Sequence, residues 1–209
     1  MRLTKFGHSC LLVETERDRI LVDPGTFSHG WETLRGVTAV LVTHQHPDHV
    51  DLTRLPGMLA VNSDARLFAD PATAEQLARA DLRAAEVDAG DTLDLGTLVE
   101  VFGDGHATIH RDLPGLPNRG YLIDGRLYLP GDSLQVPIEA VEILGVPVAA
   151  PWMALKEAVE FIRAVQPTVA IPIHEKVLAS TVIPYSLLQR LKPEPTQWLD
   201  LDDGRTVTI

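Results

Sequence analysis

The sequence predicts one α/β domain in which mixed β-sheets are covered by helices, and three observations carry that prediction. Short apolar runs recur along the chain, many of them ended by Asp, Gly, Pro or His. One longer segment, "MALKEAVEFIRAVQ", carries a stripe of helical period through Leu155, Val159, Ile162 and Val165. No Pro- or Ser-rich linker, low-complexity tract or short-period repeat interrupts the order of strands and helices, so residues 1–209 are read as a single domain.

Taken in order, "CLLVET" and "RILVD" predict a hairpin joined across the charged "ERDR". "VTAVLVT" predicts a strand buried on both faces. Pro47 then suits a helix start and Asp48 a first turn, so a short helix is expected from Asp48 to about Leu55. "DPATAEQLARAD" predicts a second helix, with Asp70 as N-cap and Leu77 on its apolar face. "TLDLGTLVEVFG" alternates as strands do, and "RGYLIDGRLYLPGD" predicts a hairpin turning at Asp124 and Gly125. "TVAIPIH" reads as a strand, "IPYSLLQRLK" as a helix and "TVTI" as a closing strand.

Composition narrows the function classes. With 45% apolar residues and a mean hydropathy of +0.05, the 22.9 kDa chain can bury a full core. The 29 Asp and Glu outnumber the 18 Lys and Arg, for a formal charge of −11. No basic run builds a stripe that would follow a phosphate backbone, so no nucleic-acid partner is expected. No apolar run approaches the ~18 residues of a membrane span, and "MRLTKFGHSC" has no apolar targeting core. The expectation is a cytoplasmic protein with no membrane partner; oligomeric state is left open. Cys10 is the single cysteine, which excludes an internal disulfide and a Cys-rich zinc site. Within "GHSCLLVE" it reads as a small buried hydrophobe.

The chemistry concentrates in nine residues, "THQHPDHVD", directly after the buried strand. Three of the eight histidines lie there, together with two aspartates. His44 and His46, two apart at a strand end, project to one side of an extended backbone. The turn at Pro47 lets Asp48 and His49 swing to a neighbouring point, so one segment can supply two clusters. Imidazole and carboxylate together suit zinc and other borderline divalent ions. Further candidates follow strand-like runs elsewhere: His106 and His110 in "VEVFGDGHATIH", Asp132 in "RLYLPGD", and His174 in "VAIPIH". Strand ends are where sites gather in sheet proteins, so these segments can converge on one cleft. Spacing does not choose between His106 and His110, which share a face in a strand or a helix.

These residues resemble the metallo-β-lactamase-fold superfamily. "HQHPDH", a third histidine in "GDGHA", the aspartate of "LPGD" and the last histidine of "IPIH" follow in the expected order from "FGHSCLLVE" onward. Asp23 in "RILVDPG" resembles that fold's early strand-end aspartate, a structural or supporting residue. The resemblance implies a four-layer αβ/βα sandwich with a dinuclear site in the cleft between two sheets. It further implies that His44, His46 and His106 hold a first metal, that Asp48, His49 and His174 hold a second, and that Asp132 bridges them. Its pattern of a histidine followed by a small residue favours His106, before Ala107. Two divalent ions are implied, Zn2+ by default, with Mn2+ or Fe2+ fitting similar ligands.

Paired metals about 3.5–4 Å apart can polarise a substrate oxygen and share a hydroxide, because coordination lowers the pKa of water to about 7. The reading is a metal-dependent hydrolase acting on a small molecule. Asp132 would fix the metal spacing, and Asp48 could orient the hydroxide or pass a proton to the leaving group. Departures from the family's branches narrow the substrate. Zinc β-lactamases generally lack a bridging carboxylate such as Asp132, and oxygen-reducing di-iron relatives carry a glutamate where this chain has Gln45. Nuclease members have further domains or arms and more positive charge. Glyoxalase-like thioesterases carry a helical extension, whereas this chain ends soon after His174. A small phosphodiester, a phosphorylated lactone, or another lactone or ester remains.

Other residues carry weaker signals. His8 in "GHSC" recurs in the group resembling ascorbate-6-phosphate lactonase, but reads better as a strand-end hydrogen bonder. His29 reads as a solvated loop residue. His110, Arg111 and Arg119 are the substrate-facing candidates; His110 reads equally as a supporting or ordinary hydrogen-bonded histidine, and the two arginines, which flank "DLPGLPN", a loop that could cover the site and hold an anion, read better as solvated surface residues. Trp152 and Tyr185 read as core packing rather than pocket lining. No Walker A, Gly-x-Ser-x-Gly or His-Glu-x-x-His pattern is present. The alternative, a catalytically idle fold member binding a metabolite or a partner protein, is disfavoured by the completeness of the ligand set.

Overall fold

Alternation along the strands sets the layering of the molecule. The computed structural model describes residues 1–209 apart from Asp104 and Asp203. A first run of strands comprises β1 (Arg2–Lys5), β2 (Leu11–Glu14), β3 (Arg19–Val22), β4 (Ala39–Leu41), β5 (Arg66–Ala69) and β6 (Ala85–Glu86). A second comprises β7 (Thr92–Asp94), β8 (Leu98–Phe102), β9 (Gly120–Ile123), β10 (Leu127–Leu129), β11 (Ile143–Pro147), β12 (Val169–Ile173) and β13 (Gln197–Trp198). The last strand, β14 (Thr206–Thr208), returns to pair with β1. Two sheets result, ordered β14-β1-β2-β3-β4-β5-β6 and β13-β12-β11-β10-β9-β8-β7. Both are mixed: β1 to β3 run antiparallel and β3 to β5 parallel. Likewise β8 to β10 run antiparallel and β10 to β12 parallel.

Successive side chains of a strand point to opposite layers. Leu11, Val13, Ile20 and Val22 from one sheet meet Tyr121, Ile123 and Ile171 from the other in a buried cluster between the sheets. The intervening Leu12 and Leu21 face outward, where Leu55, Met58 and Leu77 of α1 (Leu55–Ala60) and α2 (Pro71–Ala78) cover them. Leu122 and Ala170 are covered in the same way by Val159, Ile162 and Leu188 of α3 (Leu155–Val165) and α4 (Val182–Leu191). This is a four-layer αβ/βα sandwich. Each such side chain contributes about 1.5–3 kcal/mol when fully buried, so the inter-sheet core fixes the two sheets, and hence the strand ends, relative to each other.

Local signals hold at several points. Asp124 and Gly125 both take positive φ (58° and 62°), as the tight hairpin between β9 and β10 requires. Asp70 caps α2 through the backbone N–H groups of Ala72 and Thr73. One expected element is corrected: no helix runs from Asp48 to Leu55, and α1 begins only at Leu55. The His46 carbonyl accepts from the N–H of His49 and of Val50, which closes a single turn. Asp51 N–H then donates to the Pro24 carbonyl at 2.9 Å, while the Asp51 carboxylate caps Thr53 and Arg54. The chain is thereby pinned to the loop after β3 before a helix can propagate. No helix among the described residues is long and apolar enough to cross a membrane.

Candidate metal centre

Every candidate ligand stands beyond the carboxyl end of a strand. His8 follows β1, residues 44–49 follow β4, His106 follows β8, Asp132 follows β10 and His174 follows β12. The packing of the two sheets brings these ends to one cleft. Gly131, with φ +62°, turns the chain so that Asp132 N–H donates to Asn118 Oδ1 at 3.0 Å. Gly25 lies flush against the turn carrying Asp48 and His49, where a Cβ would overlap the Asp48 carbonyl and come within 2.6 Å of His49 N. Gly25→Ala is therefore expected to displace that turn. At about 1–3 kcal/mol for overpacking, Tm should fall by about 2–12 °C, with weaker metal binding. Calorimetry showing unchanged melting and unchanged zinc affinity would contradict this.

Two groups of ligand-competent atoms form. Those of His44, His46, His106 and Asp132 lie within 4.8 Å of one another, as do those of His8, His49 and His174. Asp132 stands between the groups: Oδ1 is 3.0 Å from His49 Nε2 and 3.2 Å from His174 Nε2, while Oδ2 is 3.1 Å from His106 Nε2. Asp48 Oδ2 lies 3.0 Å from His8 Nε2 and 3.9 Å from His49 Nε2. All seven residues that the resemblance named as ligands thus approach one another, and His8, read from the sequence as a strand-end hydrogen bonder, joins them. Nε2 of His49, His106 and His174 and Oδ1 of Asp132 are buried and crowd around the Asp132 carboxylate at 3.0–3.2 Å without an aligned hydrogen bond among the described residues. Buried polar atoms are otherwise nearly always partnered, so four such atoms converging from three histidines and a carboxylate fit a site for divalent cations.

Neighbouring groups orient these candidate ligands. Asp23, in a left-handed conformation (φ 48°) at the end of β3, accepts Thr43 N–H at 2.8 Å and Thr43 Oγ1–H at 2.9 Å. Its Oδ2 is also 2.7 Å from His49 Nδ1, which turns His49 Nε2 toward Asp132. His106 Nδ1 is held in the same way by the Ala107 carbonyl at 2.5 Å. Trp152, whose sequence context favours core packing over pocket lining, donates Nε1–H to Asp132 Oδ2 at 2.7 Å. Its ring packs edge-on to those of His106 and His174.

Burial and mutual charge set the protonation states. Burial pulls the imidazole of His44 well below its ordinary value, and that of His174 to about 3 despite the attraction of Asp132. His49 goes the other way: burial lowers it, but the Asp23 and Asp132 carboxylates outweigh burial and raise it well above its ordinary value. Burial pushes the Asp48 carboxyl up, yet the His8 hydrogen bond and the nearby His49 hold it at about 2. Asp132 is likewise held well below the carboxylate range by His174, His49 and His106.

The signs of these shifts predict a stability profile for the metal-free protein. His174 has a native value below its unfolded one of about 6.5, so its contribution is complete above that pH and lost as pH falls toward about 3. His49 has a native value above it, so its contribution is complete below about pH 6.5 and lost as pH rises through the raised value. The Tm of chelator-treated protein should therefore peak near about pH 6.5 and fall on both sides. Metal binding at neutral pH should release the His49 proton, visible as a buffer-dependent heat. A Tm that climbs steadily from acid to alkaline pH would contradict this.

The remaining candidates lie outside the two groups. The His110 ring is 60% exposed and its Nδ1 accepts from Asp112 N–H, so of the two histidines in that segment it is His106 that lies with the other candidate ligands. His110 and exposed Arg111 lie on a loop that encloses a cavity of about 260 Å³ beside His106, with Ile109, Leu113 and Leu116 among its walls. Arg119 does not line that cavity. Its guanidinium donates to the carbonyls of Val87, Gly103 and Asn118 and to Asp88 at 2.7 Å, a loop tie rather than a free anion donor. His29 sits on an exposed loop beside Arg54, while Tyr185 and Cys10 are buried.

Comparison with known proteins agrees with this architecture. Residues 2–174 match the family described as the Beta-lactamase superfamily domain. Protein Rv0786c of Mycobacterium tuberculosis is 51% identical over 185 residues, 86% of each chain. The UPF0173 metal-dependent hydrolase NEQ378 of Nanoarchaeum equitans is 25% identical over 190 residues, 83% of each chain. Among solved structures, Igni18, described as a novel metallo hydrolase from Ignicoccus hospitalis, superposes with a TM-score of 0.72 at 20% identity, covering 99% of this chain and 97% of that one. The chain, with its sandwich of two mixed sheets and its histidine- and aspartate-lined cleft, belongs to the metallo-β-lactamase superfamily.

Proposed function

We propose that this metal-dependent hydrolase uses two divalent ions, zinc by default, to cleave a small lactone or ester. The observation that carries the dinuclear part is the placement of Asp132, one oxygen toward His49 and His174 and the other toward His106. His44, His46 and His106 would hold one ion and Asp48, His49 and His174 the other, with Asp132 shared. When bound, such ions polarise a substrate oxygen and supply a water acidic enough to act as nucleophile at neutral pH. The protein's own groups do the rest. Asp23 and the Ala107 carbonyl fix the tautomers of His49 and His106, leaving Nε2 of each to face the cleft. Trp152 holds the Asp132 carboxylate in place. Asp48, ionised at neutral pH, suits a ligand and an orienting acceptor better than a proton donor. His110, which lines the cavity beside His106, would face a substrate bound there.

Ile109, Leu113 and Leu116 on the walls of that cavity support a substrate with a short apolar arm; Arg119 is turned away, so Arg111 is the lining residue left to meet an anionic group such as a phosphate. The relatives named as metal-dependent and metallo hydrolases support the reaction class. The idle-binder alternative gains nothing from the structure, because three buried imidazole nitrogens crowded on one carboxylate without aligned hydrogen bonds fit a binder of organic ligands poorly. Zinc-loaded protein assayed against lactones, aryl esters and bis-aryl phosphodiesters tests the proposal. Chelator-sensitive turnover of a lactone or ester, faster than of the phosphodiester, is expected; no chelator-sensitive turnover in any class would overturn it.

A further inference from the structure

A buried pair of charges lies beside the second ligand group and has no part in the chemistry above. Lys5 has no exposed side-chain surface, and its Nζ lies 2.6 Å from Glu175 Oε2, itself 2% exposed. Desolvation offsets most of the attraction in such a pair, so net stability is a poor explanation for it. Its connections are more informative. The other Glu175 oxygen accepts the backbone N–H of His8 at 2.7 Å. His8 follows Gly7 (φ +94°) and itself takes φ +53°, a conformation rare for a residue other than glycine and kept only where the surroundings enforce it. The clamped residue has a buried ring stacked on His174, with centroids 4.9 Å apart, and its Nε2 meets Asp48 Oδ2 at 3.0 Å. An ionised carboxylate can only accept, so the proton of this bond belongs to His8 Nε2.

We infer that Lys5, Glu175 and His8 form a positioning chain: Glu175, balanced by Lys5, clamps the His8 turn, and His8 aims the Asp48 carboxylate at the second metal position. This rests on the reading of Asp48 as a ligand there. Asp48 sits on a turn at the cleft with its side chain 26% exposed, and His8 is the hydrogen-bond donor that the described residues give its carboxylate. Deleting a group that orients a metal ligand typically costs about 10–100-fold in affinity.

Cobalt(II) titration of the chelator-treated full chain, followed by the visible absorption of the bound ion, tests the inference. Asp48→Asn and His8→Ala should each weaken the second equivalent at least about tenfold and leave the first unchanged. His8→Gln, whose amide can donate from near the Nε2 position but is a poor ligand, should restore most of the loss. Lys5→Met combined with Glu175→Met, which avoids a lone buried charge, should behave as His8→Ala; if that variant does not fold, the two His8 variants decide. A second equivalent unaffected by Asp48→Asn would overturn the ligand reading itself. With Asp48→Asn weakened, a normal His8→Ala, an unrescued His8→Gln (His8 then being a ligand) or a folded double variant with normal binding would overturn the positioning chain.

Discussion

Asp132→Ala is expected to lower turnover of the best panel substrate by about 1,000-fold or more while leaving the sandwich folded. Lewis-acid stabilisation by metal ions is worth several kcal/mol, and each ~1.4 kcal/mol is a factor of ten in rate. Among the described residues Asp132 is the carboxylate that faces both candidate groups, so on the proposed reading its loss would remove a ligand from each position at once. It also removes the anion that lies among His49, His106 and His174 and leaves Trp152 Nε1–H without its acceptor. Metal content should fall along with the rate, which separates this outcome from a defect confined to substrate binding. Steady-state kinetics with elemental analysis of the same preparation check it; a kcat within a few-fold of the parent would contradict the bridging role.

Asp23→Ala should have the largest effect on stability among the residues around the site. One buried carboxylate serves Thr43 N–H, Thr43 Oγ1–H and His49 Nδ1 together. Removing one partner of a buried pair typically costs about 3–5 kcal/mol, because the group left behind is uncompensated. For a chain of this size that corresponds to a fall in Tm of about 6–20 °C. His49 would also lose the contact that turns Nε2 toward Asp132, so zinc affinity should drop by about 10–100-fold. Thermal melts with and without zinc measure both quantities. Unchanged melting would show that the strand-end aspartate is not the anchor of the histidine turn.

Much of the centre is legible in the chain because its ligand residue types are dense in one place. "THQHPDHVD" follows a strand whose burial on both faces is plain from its composition, and Asp132 and His174 each end an apolar run of the same kind. What escapes the sequence depends on contacts between distant segments. The helix expected after Pro47 fails because the Pro24 carbonyl takes the N–H of Asp51, which no local pattern reveals. β5 and β11 show no alternation in "RLFA" or "ILGVP"; they are strands because parallel neighbours pair with them on both sides. His8 and Trp152 reach the centre from 36 residues before His44 and 20 residues after Asp132, as single residues in unremarkable contexts. Arg119 shows the converse: a basic residue flanking a Gly/Pro-rich loop reads as a solvated arginine or an anion donor, and its guanidinium is instead engaged by backbone carbonyls and Asp88.

Whether two cations share Asp132 is decided by counting them. Chelator-treated protein dialysed to equilibrium against excess zinc, then assayed for metal per chain, should retain two ions; a single ion or none at saturation would contradict the shared-carboxylate centre.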